Sequence, residues 1–588
     1  MRSLKEFAKL AAAMIHADQG RNDAFDEYDA MYHVDWQLPG ELVALEWVRC
    51  VRNMDPHDAV STGTRVLSSL IPKIKYQPLN PAAKAQAGEW EKNLRWQMQA
   101  ANRRRATKVE RSVVMSALRY MAVAVQVVDL DYQIEQYKFL NAKSLRLKAA
   151  RRHGRFMVLD YNPQVIHVRT SGLMTEAVLL ACRKPAQEVV DDWGDRAPSA
   201  LRKLAKDGQR IEYYDFTDYE DRGVWCTAIG GGDDDEKVME IVREAHKLPF
   251  LPWVALMGKS TLESDGKDEY QPMYYPLMKS GVWKTTMIAS SLAVSDVLAR
   301  ASYPRYAEEG VNQSEETQID YTDPSRVAKV PVGNTLRALP PEQGDPALQN
   351  VVAELQGQMA KSTVSRILQG GEGLAGEAFA ALNLRTQTAV GALKPAKELA
   401  EQALAEVFTL MLLWAHYTEN DLSAYGTGKF DVGENYVIPW NAIDPSAIYL
   451  TVSLTADLPT DQMARLNAGM MANRLGVSKE TIMEDVGIED PDSELENWYL
   501  ERYTDEYVAL QVAAMQGEQQ MQMQQAAQEQ AAAAAQTAQA GMSGVAGQGQ
   551  GYNPAMGGTP AAVAYPGMTR EGATGVDMSG NPIAEQGP

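Results

Sequence analysis

QGGEGLAGEAFAALNLRTQTAVGALKP, residues Gln369–Pro395, contains Gly371-Glu372-Gly373-Leu374-Ala375-Gly376, a match to G-x-G-x-x-G. A dinucleotide loop of that spacing belongs to a doubly wound α/β sheet. A strand leads into it and a helix leads out, the glycines let a pyrophosphate approach the helix N-terminus, and an acid roughly 20 residues on holds the ribose. The flanking residues speak against that fold. MAKSTVSRILQ, just before the glycines, continues a polar amphipathic helix, and no apolar strand leads in. Glu398 and Glu401 stand at about the right distance but inside a helical pattern, and G-x-x-x-x-G-K-[ST] is absent. The glycines read instead as hinges: Gly370, Gly371, Gly373 and Gly376 permit backbone angles other residues resist. Ala378, Ala380, Ala381, Asn383, Thr386, Gln387 and Thr388 follow, small or polar, and Gly391 comes just before a proline-started helix. The stretch is expected to be a short mobile segment slung between two long helices.

Those helices are legible on either side. From Pro346 to about Leu368, Leu348, Val352, Leu355 and Met359 repeat at three and four. From Pro395, Leu399, Ala403, Val407, Met411 and Trp414 keep the same rhythm, with proline at a normal helix start. Further upstream, YYPLMKSGVWKTTMIASSLAVSDVLARAS predicts a helix with Met278, Val282, Trp283, Met287, Ile288, Leu292, Val297 and Leu298 on its apolar side and Pro276 near its start. Between it and Pro341 the punctuation suits a small strand-and-turn excursion. Residues 150–265 are expected to be β-containing: DYNPQVIHVRT and EAVLLACRKP read as strands, QRIEYYDFTDYEDRGVWCTAIGGG as a hairpin around Asp221-Arg222-Gly223, and HKLPFLPWVALMG as a proline-broken extended segment. The first 150 or so residues read as mainly helical. Leu42, Leu45, Val48 and Val51 form a helical stripe, and KVERSVVMSALRYMAVAVQVV a helix running into a strand. After the strands in YVIPWNAIDPSAIYLTVSLTADLP come short helices stopped at Gly476 and Gly487. Asp490-Pro491 then starts a helix that can run far into GEQQMQMQQAAQEQAAAAAQTAQA, and disorder is expected from Gly541.

At 588 residues the chain exceeds one compact core, and three or four domains are expected. With 57 basic and 77 acidic side chains it carries a formal charge of −20, which argues against a simple nucleic-acid binder. Cys50, Cys182 and Cys226 are far apart, so neither a disulfide framework nor a zinc site is expected, and a reducing compartment fits. The seven histidines are scattered. Lys5 and Lys9 interrupt the N-terminal apolar residues, and the most apolar stretch, FTLMLLWAHY, is only about ten residues, too short to cross a bilayer. A soluble protein used in a cytosol-like environment is expected. No cofactor and no catalytic constellation is indicated.

The order of parts resembles the portal protein, or head-to-tail connector, of tailed double-stranded DNA bacteriophages. DPHDAVSTGTRVLSSLIPKI and ERSVVMSALRYMAVAVQVV resemble the family's early wing helices. EAHKLPFLPWVALMG resembles the wing strand before the stem, and LTADLPTDQMARLNAGMMANRLGVSKETIMEDVGIEDPDSELE the entry to the crown. The resemblance spans residues 30 to 515. It implies an α+β, mainly helical chain laid out as an N-terminal wing (1–270, helical then β-rich), first stem helix (271–302), clip (303–342), second stem helix (343–368), channel or tunnel loop (369–394), long helix with return wing strands (395–456), crown (457–540) whose Gln/Ala segment either builds a barrel helix or stays mobile, and a disordered Gly/Ala/Pro tail (541–588). It also implies a ring of twelve subunits around a DNA channel at one capsid vertex. The ring is assembled in the host cytoplasm and joined to capsid and scaffold proteins, the terminase large subunit and tail adaptors. The ATPase is then the separate terminase, which agrees with the missing Walker motif. On this reading Asn383, Arg385, Thr386, Gln387 and Lys394 face DNA, Gly370, Gly371, Gly373, Gly376 and Gly391 are the loop hinges, and Arg305 and Arg326 in the clip dock a partner. Acidity suits such a conduit, since Lys and Arg contacts to phosphate are what make a protein grip DNA, and screening confines repulsion to about 8–10 Å at physiological salt. The basic runs NRRRATK (102–108) and NAKSLRLKAARRHGR (141–155) are read as solvated or intersubunit faces ahead of nucleic-acid contacts. A nucleotide-binding enzyme using Gly371–Gly376 and another virion structural protein are the alternatives. The missing lead-in strand weighs against the first. A capsid subunit would lack two long helices flanking a glycine loop, and a scaffold would lack the β part.

Overall fold

The computed structural model describes residues 2–43, 48–77 (except 53 and 70), 84–138 (except 104), 141–258 (except 172–173, 230–237 and 247), 271–302 (except 273), 306–310, 334–338, 346–362, 391–427, 433–454, 479, 482–483 and 491–541. The class is α+β and mainly helical. The chain divides into two units, Met1–Leu495 and Glu496–Pro588.

Helix α1 (Leu4–Ala17) starts at a capping box. The Ser3 hydroxyl accepts from the Glu6 amide, and the Glu6 carboxylate accepts from the Ser3 amide at 2.6 Å. After α2 (Gln19–Tyr32) and the short α3 (Gly40–Val43) come α4 (Asp55–Ser68), strand β1 (Lys73–Tyr76), α5 (Lys84–Asn102) and α6 (Val109–Tyr120). Met121, at φ +52°, ends α6 in the left-handed region and turns the chain directly into β2 (Ala122–Asp129). The expected helix-to-strand passage is therefore present. The stripe through Leu42 and Val51 is not one helix. Its α3 part ends at Val43, Leu45 lies outside the described residues, and Val48–Arg52 is not helical.

Helices α7 (Leu130–Gln136) and α8 (Asn141–Arg151) lead to β3 (Phe156–Tyr161), β4 (Ile166–Ser171) and β5 (Met174–Pro185). Two short helices, α9 (Ala186–Trp193) and α10 (Ser199–Lys206), precede β6 (Arg210–Asp218), β7 (Asp221–Ala228), β8 (Val238–Ala245) and β9 (Trp253–Met257). Strands β4 to β8 form an antiparallel sheet in sequence order, and β2 sits between β3 and β9 in a second sheet. The expected hairpin exists, but its turn is at Tyr219-Glu220. Asp221, Arg222 and Gly223 already pair within β7. The turn moves there because the Asp218 carboxylate accepts from the amides of Glu220 and Asp221, at 2.9 and 2.8 Å, closing the bend one step earlier than the glycine suggests. Gly223 serves packing instead: a Cβ there would lie 3.0 Å from the Phe7 ring, where α1 lays Phe7 against Phe216 and Trp225 of this sheet.

The helix expected from Met278 is two. Gly281, at φ +69°, separates α11 (Tyr275–Lys279) from α12 (Val282–Ser302). An antiparallel pair, β10 (Tyr306–Gly310) with β11 (Asn334–Ala338), then precedes α13 (Pro346–Ser362) and α14 (Lys394–Tyr417). Leu399, Ala403, Val407, Met411 and Trp414 are all buried, as the periodicity predicts, and Phe408 and Leu412 widen the apolar face. Strands β12 (Leu422–Thr427) and β13 (Gly433–Ile438) pair with each other, and β14 (Leu450–Ser453) returns to pair with β1. Helix α15 (Pro491–Gly541) starts at the expected proline and runs 51 residues.

The largest of three apolar clusters described in the first unit lies at its helical part. It takes in α4, α5, α6, β2 and α14, and β2 is buried along nearly its whole length, as a central strand covered on both faces must be. The Trp414 indole donates to the Val127 carbonyl at 2.9 Å, tying α14 to β2. Asp129, fully buried, caps α7 by accepting from the Asp131 amide at 2.8 Å and takes a 2.7 Å ion pair from Arg155. Arg155 also donates to the carbonyls of Asn420 and Asp421 and to the Thr418 hydroxyl at the end of α14. Replacing Arg155 by alanine leaves the Asp129 charge buried and alone, so a loss of about 3–5 kcal/mol is expected in chemical denaturation; a change within the range of surface substitutions would show that the pair holds nothing.

Candidate functional site

The elements bearing the sequence-predicted site are α12, the β10–β11 pair, α13 and the start of α14. The first two turns of α12 belong to the core, through Trp283 and Met287. Further along the helix the buried residues are polar. Ser291 accepts from the Val51 amide at 2.8 Å and Ser295 from the Arg49 amide at 2.6 Å. That explains the non-helical Val48–Arg52: its amides are satisfied by two hydroxyls one helical turn apart. In the same stretch of the helix, Val294, Val297 and Leu298 are 41, 57 and 48% exposed. The predicted apolar side of this helix thus divides, with Trp283 and Met287 inside and Val297 and Leu298 in water. Helix α13 packs alongside α12 and exposes Val351. Strands β10 and β11 pair in register from Tyr306 opposite Ala338 to Gly310 opposite Asn334, with Glu309 and Arg337 exposed.

Asn383, Arg385, Thr386 and Gln387, the glycines Gly370, Gly371, Gly373 and Gly376, and the clip residues Arg305 and Arg326 all lie outside the described residues. So do the stops at Gly476 and Gly487 and the tail after 541. Two members of the predicted set are described. Gly391 has open space where a Cβ would stand and no positive φ. Lys394 projects from the first turn of α14 with Glu398 at 3.6 Å and is mostly exposed. Between them Leu393 is fully buried against Gly63, whose absent Cβ would lie 3.3 Å from the Leu393 side chain and 3.1 Å from Leu118. The chain leaving the glycine-rich segment is therefore anchored in the main core within two residues of Gly391.

The basic runs are partly spent within the chain. Arg105 pairs with Asp160 and donates to the Val158 carbonyl at 2.6 Å. In the second run Arg151 meets Asp131 at 2.6 Å, Arg146 meets Asp192 at 3.3 Å, and Arg155 is the buried partner of Asp129. Arg103, Lys108, Lys148 and Arg152 remain exposed.

A polar cluster that no local pattern announces sits beside the five-stranded sheet. Arg222 is held by Asp215 at 2.7 Å and donates to the Tyr137 hydroxyl at 3.0 Å, and Tyr137 donates to Glu244 at 3.1 Å. Partners 85 and 107 residues apart leave no spacing signal to read. Lys143 lies over the rings of Trp193 and Tyr137, with its amine 3.5 and 4.0 Å from their centroids. Burial and then the Arg222 charge lower its pKa, against the pull of Asp192, Asp215 and Glu244, so the amine is pushed down to about 7. Among the described residues no group of three or more His, Cys, Asp or Glu is placed to hold a metal, and no helix is long and apolar enough to cross a membrane. The three cysteines are free thiols.

No family model matches the chain, and no curated protein matches it. Among solved structures it is similar to the neck of an empty GTA particle computed with C6 symmetry, at 12% identity over 76% of this chain and 94% of that one, with a TM-score of 0.37. It is also similar to the virion of a native gene transfer agent particle, at 12% identity and the same coverage, with a TM-score of 0.35.

The Lys143 shift has a definite sign. Between about pH 7 and the ordinary lysine value of 10.5, the unfolded chain holds a proton that the native amine lacks, so this group costs stability progressively as pH falls through that window. Lys143→Met is therefore expected to raise the melting temperature at pH 7, with the gain shrinking toward pH 10. An equal shift at both would assign the effect to packing alone.

Proposed function

We propose that this chain is the portal protein of a tailed double-stranded DNA phage or phage-like particle, a structural subunit rather than an enzyme. The observation that carries the reading is the arrangement of α12, the β10–β11 pair, α13, the glycine-rich polar segment and α14, in the order stem, clip, stem, channel loop, long helix. Two physical features support it. Val294, Val297 and Leu298 on α12 and Val351 on α13 meet water in a single chain. In a ring a neighbouring subunit covers such a surface, through a heterologous contact that closes by rotation. Helix α15 likewise exposes Tyr499, Leu500, Tyr503, Tyr507 and Leu510 along its first half, and a helix with large apolar residues in water calls for neighbours.

In this role twelve subunits surround a channel at one capsid vertex. The β10–β11 region, with Arg305 and Arg326, docks the terminase large subunit during packaging and tail adaptors afterwards, while the wing meets capsid and scaffold proteins. The segment 369–394 faces the passing duplex. Arg385 and Lys394 supply its cations, Asn383, Thr386 and Gln387 its neutral hydrogen-bonding groups, and Gly370, Gly371, Gly373, Gly376 and Gly391 its freedom to move. The formal charge of −20 per subunit keeps the wall from gripping DNA.

The purified protein is expected to form a ring with a central hole. Twelve copies of 64.8 kDa give about 780 kDa by native mass measurement and negative-stain imaging. A compact dimer or tetramer that binds nucleotide would overturn the reading. Within such a ring, Arg385→Ala with Lys394→Ala is expected to leave assembly intact and to lower DNA packaging or retention; unchanged packaging would remove the loop's contact role.

A further inference from the structure

The run 102–108 contains a site that the portal reading does not use. Asn102 closes the turn between α5 and α6: its amide donates to both oxygens of Glu110, at 3.0 and 2.9 Å, and its carbonyl oxygen accepts from the Val109 amide at 2.8 Å. The clamp fixes a cleft of about 470 Å³ beside the turn. Its floor is Ile74, Met98 and Phe408, side chains anchored in the main core, and its rim carries the exposed Arg103 and Lys108. Glu110, the carboxylate among the lining residues, keeps its charge while Asn102 holds it in place, and Arg103 and Lys108 outnumber it, so the rim is net positive on a chain whose total is −20. Arg105 forms the wall shared with a second, mainly apolar cleft of about 670 Å³ between α6 and β3, and its own charge is taken by Asp160.

We propose that these adjoining clefts dock a short protein segment that carries carboxylates beside apolar side chains. Charge complementarity selects an acidic occupant. The apolar floor selects one with hydrophobic residues, which a bare phosphate lacks. The size, within the roughly 300–1,000 Å³ of sites that enclose a few groups, suits a peptide, whereas a duplex presents its phosphates on a convex rod that cannot enter a cleft. Arg103 and Lys108 are exposed and bring the segment in, and the buried floor then holds its apolar side chains. The site needs no ring and stands whether or not the subunits assemble.

The test is fluorescence anisotropy on the full-length protein with a labelled six-residue peptide of glutamate, aspartate and leucine, and with its glutamine and asparagine twin. The acidic peptide is expected to bind at least about tenfold tighter than the twin, to weaken with salt, and to lose that advantage in R103E/K108E. Both changes are at exposed positions, and circular dichroism checks that the fold is kept. R103Q/K108Q is expected to fall between. Equal binding of the two peptides, or unchanged binding in R103E/K108E, would overturn the proposal. So would displacement of the peptide by inorganic phosphate at matched concentration, which marks a simple anion site, or by a short DNA duplex, which marks a nucleic-acid surface.

Discussion

Arg155 carries a full charge into the interior, and the first unit is arranged around meeting it. Asp129 neutralises it from the end of β2, while two carbonyls and a hydroxyl after α14 take its remaining donors. A buried guanidinium is tolerated only when its hydrogen bonds are filled, so this one residue fixes where β2 ends, where α7 begins and where α14 must stop. The Trp414–Val127 bond repeats the tie between α14 and β2 from the helix side. Because α14 begins at the exit of the glycine-rich segment, with Leu393 locked against Gly63, the same core that satisfies Arg155 also holds one end of that segment still.

Charge is distributed by the same logic. Arg105, Arg119, Arg155 and Arg222 each meet a carboxylate within the chain. Each pair removes one acid and one base from the account, so the formal −20 stays with the groups left over. On the proposed reading that residue of negative charge is what a DNA conduit needs, and the net positive rim between α5 and α6 stands out against it as a place for something acidic. Lys143 is the inverse case. It has carboxylates near but aromatic rings nearest, so burial decides its protonation.

The candidate site was only partly legible. Lys394, Gly391 and the helices on either side of the glycine-rich segment could be placed from proline, glycine and a three-and-four apolar rhythm, because those signals are local. Arg103 and Lys108 were visible as a basic run, but nothing in NRRRATK tells which of its cations are spent inside. Arg105 is taken by Asp160, 55 residues away in sequence. Tyr137, Arg222 and Glu244 had no sequence signal, since their association depends on strands β7 and β8 reaching α7.

The amino-acid sequence by itself determined α14 with its buried face, the passage from α6 into β2, the proline start of α15, the strand-rich middle and the acid excess. Each is written in neighbouring residues, as a period, a cap or a composition. Only the tertiary structure decided that Val48–Arg52 forgoes a helix, because Ser291 and Ser295 on a distant element satisfy its amides. Only it divided the apolar side of α12 into Trp283 and Met287 within and Val297 and Leu298 without. It also moved the β6–β7 turn to Tyr219-Glu220, where the Asp218 carboxylate holds the bend while Gly223 is committed to Phe7 on α1. The Asp218 bonds are local, but the commitment of Gly223 to Phe7 and the other two outcomes share one physical reason. A side chain's period says which face could be buried, but what it is buried against, and which backbone groups find partners there, depends on residues hundreds of positions away.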